Sequence, residues 1–312
     1  MNKTKQFQTA ALIFVTALVV VFSLSVAPAR CGEIALSLDD APWGMGAVFT
    51  GPQRTRIIID KLDSLGIDEV VFYCVTERMD YHSGKERLLA YAQAGHLLAN
   101  HSHSHPDISI GADRFLADIK KADSLLRPLP GFVPWFRYPY LHEGENRPLR
   151  DSVRTALAEL GYRNGYVTVD SYDWYLDRLY RDAVRDGLEI DIDSLKRLYV
   201  SMLWNAIKFY DTIARESLGR SPKHVLLLHE NDLAALFIDA LVQRIHAEGW
   251  TIITPREAYR DSIAVTVPDV LINSQGRVVA IAAANGYRGP LRHPAENAAY
   301  LDSLFAEKVV RK

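Results

Sequence analysis

Cysteine is scarce in this 312-residue chain: only Cys31 and Cys74 occur, so no more than one internal disulfide is available. A fold stapled together by several disulfides is thereby excluded. An excess of charge of either sign is also missing. The 36 Lys and Arg against 38 Asp and Glu leave a formal net charge of −2, which gives no reason to expect nucleic acid or an anionic membrane surface as a partner. No internal repeat, low-complexity run or flexible linker divides the chain. Long apolar runs are lacking except near the start, where Lys3 and Lys5 precede an apolar stretch from Ala10 to Val26, followed by Ala27-Pro28-Ala29. A basic segment, an apolar segment and an A-x-A site read as a secretory signal peptide over residues 1–29, or as an uncleaved membrane anchor. The expected location is therefore outside the cytoplasm: periplasmic, extracellular or membrane-anchored. Contact with a membrane is expected only through that segment.

What is present is an ordinary globular balance, 48% apolar and 24% charged. Seven short apolar runs read as strands: 34-IALSLD-39, 69-EVVFYCV-75, 96-HLLAN-100, 132-FVPWFR-137, 162-YRNGYVTV-169, 225-VLLLH-229 and 251-TIIT-254. Between them lie segments of helical period, such as 53-QRTRIIIDKLDSLG-66, in which Ile57, Ile58, Leu62 and Leu65 share a face. Strand–helix units of about 30 residues argue for parallel strands with helices outside. Seven of them suggest an α/β barrel, complete or distorted, rather than an open sheet. Residues 175–222 have no obvious strand and read as a helical insertion of two helices. The expected organisation is a main domain over 30–262 and a C-terminal extension, 263–312, packed on the barrel. Parallel strands would put Cys31 and Cys74 towards opposite ends of the sheet, so both thiols are expected to stay free and buried.

The polar motifs fall at strand ends, where parallel barrels collect active-site groups. The pair Asp39-Asp40 leaves the first strand, and adjacent carboxylates repel unless their tasks differ. One could bind a metal while the other takes a proton from water. The stretch 100-NHSHSHPD-107 supplies three imidazoles, of which His101 and His105 have the spacing that puts two rings on one side of a helical turn, with His103 pointing elsewhere. Two imidazoles and one carboxylate leave an open position for water, as in catalytic rather than structural zinc sites.

The ordered set 36-LSLDDAP-42, 101-HSHSHPD-107, 137-RYPY-140, 170-DSYDW-174 and 226-LLLHE-230 resembles the five motifs of the polysaccharide deacetylases, also called NodB-homology or carbohydrate esterase family 4 enzymes. The resemblance spans roughly Ile34 to Tyr259. It implies a distorted (β/α)7 barrel, one divalent metal (usually zinc, with cobalt, nickel or manganese as alternatives) and hydrolysis of acetyl groups from an acetylated polysaccharide or oligosaccharide. Carried over residue by residue, it implies Asp39 as general base, with Asp40, His101 and His105 as metal ligands. Arg137 would orient the base, and the Tyr140 main-chain N–H would serve the oxyanion. His229 would be the general acid with Asp173 as its carboxylate partner, and Trp174 and Leu227 would enclose the acetyl methyl. The leading expectation is an N-acetyl glycan deacetylase. Related readings are an O-acetyl polysaccharide esterase, as on xylan, and a small-molecule amidohydrolase; from another class comes a catalytically silent carbohydrate-binding domain.

Two residues depart from the commonest first motif of that family: Leu38 stands for an aromatic and Ala41 for a glycine. The turn after Asp40 must therefore be one an L-residue can adopt. Among the other histidines, His96 reads as a hydrogen-bonded core residue and His246 as a helix-surface residue. His82, His224 and His293 read as loop residues. His142 and Glu143 could line a substrate groove, Trp43 could stack on a sugar, and Asp170 reads as structural support for the loop carrying Asp173.

Overall fold

A computed structural model describes residues 32–311; the proposed signal segment and Cys31 lie outside the described residues. Seven strands form one sheet in which every pairing is parallel: β1 (Glu33–Ala41), β2 (Val71–Cys74), β3 (Leu97–Asn100), β4 (Phe132–Phe136), β5 (Arg163–Asn164), β6 (Lys223–His229) and β7 (Thr251–Ile252). Their order is β5-β4-β3-β2-β1-β6, with β7 on β1. β1 is buried continuously from Ile34 to Ala41, as a strand covered on both faces must be. The sheet curls until the chain after β5 reaches β6, where Val169 bridges Leu226 in parallel. The result is the distorted seven-stranded barrel expected from the sequence.

β5 is much shorter than its apolar run 162–169 suggests, and Gly165 explains why. A Cβ there would collide with the Tyr73 hydroxyl, and the Gly165 carbonyl accepts from Arg137 Nε at 2.7 Å instead of from a neighbouring strand. The ladder stops, and the chain crosses towards β6.

Helices α1 (Gly51–Ser64), α2 (Gly84–Gln93), α3 (Ala112–Leu126), α4 (Arg147–Glu159), α5 (Asp173–Arg185), α6 (Ile192–Leu218), α7 (Asp232–Ala247), α8 (Pro255–Ala258), α9 (Arg277–Ala284) and α10 (Ala298–Lys308) surround the sheet. α5 and α6 are the two inserted helices. Val278, Val279 and Ala282 of α9 and Leu301 and Phe305 of α10 join the same core cluster as β1 and α7. None of the helices among the described residues is long and apolar enough to cross a membrane. Cys74 is buried, and its thiol donates to the Phe72 carbonyl at 3.3 Å.

Beneath the C-terminal strand edge lies an ionic cluster. The fully buried carboxylate of Glu230 accepts from Arg54 Nε (2.9 Å), Arg87 Nη2 (2.6 Å), Trp43 N (2.6 Å) and Tyr91 Oη (3.1 Å), while Arg54 Nη1 reaches Asp232 at 3.0 Å. Two cations meet two anions out of water, and each charge depends on the others. Replacing Arg54 by Met keeps the stem but takes from Asp232 its buried cation and leaves Glu230 with Arg87 as its cation; a loss of about 3–5 kcal/mol of stability is expected in urea denaturation. Arg56→Met, which removes only the exposed pair with Asp60, should leave the midpoint unchanged.

Candidate active site

Parallel register brings the polar strand ends together. Asp39 is paired directly with His229 across β1 and β6, while Cys74 pairs with Asn100, and Asn100 with Phe136. The residues that follow, His101 and Arg137, therefore emerge side by side at one edge.

Asp40 adopts φ 67°, a left-handed conformation that Asp tolerates better than most residues. That turn points the two carboxylates apart: Asp39 Oδ1 meets Arg137 while its Oδ2 lies 3.6 Å from His101 Nε2, and Asp40 Oδ1 lies between His101 and His105. Ala41 is not among the residues with positive φ, as expected of an L-residue there, and the left-handed turn falls on Asp40 itself. The histidine stretch does not form the expected helical turn. Ser102 (φ 76°) and His105 (φ 57°) double the chain back, the Asn100 side-chain oxygen accepts from Ser102 N at 2.7 Å, and Ser102 Oγ accepts from His105 N at 3.0 Å. The rings of His101 and His105 meet edge to face with centroids 4.9 Å apart. His103 turns away: its Nδ1 pairs with Thr76 Oγ1 at 2.9 Å, and its N–H donates to Asp118.

Asp40, His101 and His105 offer ligand atoms all within 4.8 Å of one another. Asp40 Oδ1 lies 3.5 Å from His105 Nε2 and 3.9 Å from His101 Nε2, slightly wider than the roughly 3.3 Å edge of a tetrahedral zinc site. That oxygen is buried and has no hydrogen-bond partner, which is how a ligand awaiting a cation stands. His101 Nδ1 is engaged by the Arg137 carbonyl at 2.8 Å, so Nε2 is left with its lone pair. Burial and the neighbouring His105 hold the His101 pKa well below the ordinary value, and burial lowers that of His105. Burial works to raise the Asp40 carboxyl, but His105, Arg78 and His101 outweigh it and keep the pKa low. Two neutral imidazoles and one carboxylate fit a divalent cation.

Asp39 Oδ1 is met by Arg137 Nη1 at 2.5 Å. Burial raises its pKa to about 6 against the lowering effect of Arg137 and His229. Arg137 is itself held by Ser37 Oγ (2.9 Å), the Gly165 carbonyl (2.7 Å) and Tyr259 Oη (3.1 Å), and lies 3.8 Å from the Tyr73 ring centroid. Opposite, His229 Nδ1 pairs with Asp173 Oδ1 at 2.7 Å while Asp173 Oδ2 accepts from His229 N at 2.8 Å. Burial disfavours the imidazolium, but Asp173 prevails and raises the His229 pKa to about 9. Asp39, Asp40, His101, His105 and His229 line one cavity of about 400 Å³, together with Tyr140, Trp174 and Leu227.

Several supporting residues escaped the sequence reading. Ser37, Tyr73 and Tyr259 look like strand and core residues, and nothing local marks them as partners of Arg137. Arg78 donates to the Asp40 carbonyl at 2.7 Å. Ser274, from beyond the barrel, lines the cavity and donates its N–H to the Leu141 carbonyl at 3.2 Å. Asn273 beside it brackets the same loop, accepting from Glu143 N and donating to the Gly144 carbonyl. Other expectations need correction. His224 is no loop residue: it is fully buried in β6, between Thr168 and Asp211. His142 pairs with Asp107, and Glu143 with Arg154 and Asn164, so neither lines the catalytic cavity. Asp170 accepts from Ser171 N at 2.7 Å yet also faces the cavity, its pKa well raised by burial and by Glu296.

In zinc titration calorimetry, His105→Ala should weaken binding more than about 100-fold, beyond the effect of losing an outer-shell partner, whereas His103→Ala should stay within about tenfold of wild type. Equal losses in the two variants would remove His105 from the ligand set.

Residues 27–165 match the family model described as polysaccharide deacetylase. The chain is similar to the chitin deacetylase of Arthroderma benhamiae, with 30% identity over 169 residues, 53% of this chain and 40% of that protein. It is 28% identical over 149 residues to the peptidoglycan-N-acetylglucosamine deacetylase of Bacillus cereus, 47% of this chain and 48% of that one. The matches thus span less than half of either relative. Among solved structures, a CE4 family pseudoenzyme from Bacillus anthracis has the same fold, with a TM-score of 0.51 and 14% identity over 73% of this chain and 66% of that one.

Proposed function

The chain belongs to the polysaccharide deacetylase family, and from that premise we propose that it is an exported, zinc-dependent hydrolase removing N-acetyl groups from a glycan. The observation that carries this reading is the pairing of Asp39 and His229 on neighbouring strands beside the Asp40–His101–His105 ligand set. A base, an acid and a cation site around one cavity answer the separate demands of amide hydrolysis, and a sugar-binding domain has no need of all three.

A divalent cation held by Asp40, His101 and His105 would supply Lewis acidity, acidifying water and polarising the acetyl carbonyl. Asp39, kept in place by Arg137, accepts the proton of the attacking water. The Tyr140 main-chain N–H donates to the oxyanion that forms on the acetyl carbon. Trp174 and Leu227 flank the acetyl methyl. The departing amine must leave protonated, and His229 donates from Nε2, since Nδ1 is occupied by Asp173. With its pKa raised to about 9, His229 is cationic at neutral pH and can supply that proton. An ester would need this acid less, so the strength of the His229–Asp173 pair supports an amide substrate.

Zinc-loaded protein should release acetate from N-acetylglucosamine oligomers. Asp39→Asn should retain zinc while the rate falls by about 10²–10⁴-fold. Loaded protein that releases no acetate from chitin oligomers, peptidoglycan fragments or acetylated xylan would overturn the enzymatic reading. The alkaline limb of the rate profile should follow His229, with activity falling as pH rises through about 9. Asp173→Asn removes the anion that raises this pKa and leaves the burial that lowers it. The limb should then move down by about 1–3 pH units; an unmoved limb would separate it from His229. Export rests on the basic and apolar pattern before Arg30, and N-terminal sequencing of the mature protein should begin there.

A further inference from the structure

The catalytic cavity does not end at the metal ligands. Trp43 and Arg78 line it and also line an adjoining open depression of about 360 Å³, whose other walls are Pro42, Gly44, Tyr81 and His82. That volume is in the range of small-ligand clefts. The six lining residues include three aromatic rings and one guanidinium, and none is acidic. Tyr81 is 64% exposed, so its ring is reachable from solvent.

Arg78 is the informative residue. Its Nη1 donates to the Asp40 carbonyl and lies 3.6 Å from Asp40 Oδ1, while its guanidinium carbon sits 4.6 Å from the Trp43 ring centroid. Stacking and one hydrogen bond fix the plane of the group. Nε and Nη2 have no partner among the described residues, and 29% of the side chain is exposed. A planar guanidinium with free donors, fixed beside a tryptophan, is the arrangement that receives a planar anion bidentately. Arg181, whose guanidinium carbon is 5.7 Å from the same Trp43 centroid, is by contrast already answered by Asp177 at 2.8 Å. A neutral sugar would leave the free edge of Arg78 unanswered.

Building on the deacetylase reading, we propose that this depression is a subsite for an acidic sugar, so that the substrate is a glycan with an anionic substituent, of carboxylate type, on the residue next to the acetylated one. The ring packs on Trp43 and Tyr81, and its anion meets the free edge of Arg78. Arg78 then acts as a specificity residue, distinct from the groups that carry out hydrolysis.

The test uses zinc-loaded full-length protein and two N-acetylated oligosaccharides equal in length and linkage. One carries a uronic-acid carboxylate next to the acetylated sugar; in the other that carboxyl is reduced to an alcohol. Wild type should favour the acidic substrate in kcat/KM by about ten- to a hundredfold, the range of one charge-assisted contact, with the preference shrinking as salt is raised. Arg78→Gln should bring the ratio of the two close to one. Taking the ratio cancels any loss that the same change causes at the metal site. A sulfated analogue favoured as strongly as the carboxylate would also support an anionic subsite, one that reads charge rather than planar shape.

A wild-type ratio near one, or a preference that survives Arg78→Gln, would overturn the proposal. If acetate release fails for every substrate, the hydrolase reading falls, but the subsite is still measurable. Calorimetry with the deacetylated acidic and neutral oligomers should then show tighter binding of the acidic one, and equal binding would sink the subsite by itself. Should Arg78→Gln fail to fold, Tyr81→Ala, at an exposed position, should weaken binding of the acidic oligomer in the same assay, and unchanged binding would count against the subsite.

Discussion

The Arg137 guanidinium lies inside the curled sheet with 1% of its side chain exposed, and a charge is tolerated there only when its donors are met. They are met by parts that nothing else connects. Asp39 and Ser37 come from β1, the Gly165 carbonyl from the point where β5 breaks off, and Tyr259 from the turn after α8. The main-chain carbonyl of the same residue fixes the His101 tautomer. One side chain therefore ties β1 to the break in β5 and holds Asp39 in place, while its backbone orients His101.

A second buried network does comparable work under the other side of the site. Glu230 directly follows His229, and its carboxylate gathers Arg54 from α1, Arg87 from α2 and the Trp43 backbone. The loop that leaves Asp40 is thereby anchored to the strand that carries His229. Above the sheet, Asn273 and Ser274 hold the loop after Tyr140 through main-chain contacts. Residues far beyond the last strand thus shape the rim of the cavity.

Much of this was legible in the sequence, and the illegible part has a physical pattern. The strands could be read because parallel strands covered on both faces appear as unbroken apolar runs, as 34-IALSLD-39 does. The order of the polar motifs could be read because all but 170-DSYDW-174 sit where a strand ends, and that one follows the break in β5. What could not be read were contacts between distant segments. Tyr73 and Tyr259 are spelled like core residues, and the role of Gly165 in ending β5 depends on a hydroxyl ninety-odd positions away. His224 seemed to precede its strand and lies within it. The His101–His105 spacing suggested a helical turn, yet the rings converge through two left-handed residues held by Asn100 and Ser102. The spacing identified the pair, while side chains hydrogen-bonding to the local backbone decided how they meet.

The register of β1 against β6 carries a consequence for how such a protein can diverge. Asp39 and His229 face each other because Glu33 pairs with Lys223 and every residue between keeps step. Their separation is thus set by a main-chain ladder and does not depend on any loop. A shift of one residue in either strand would turn its own side chains to the opposite face and part the pair. Insertions at the rim, where Trp43, Arg78 and Ser274 stand, leave that ladder alone. Selection can therefore rewrite which molecule is admitted while the gap between Asp39 and His229 is inherited intact.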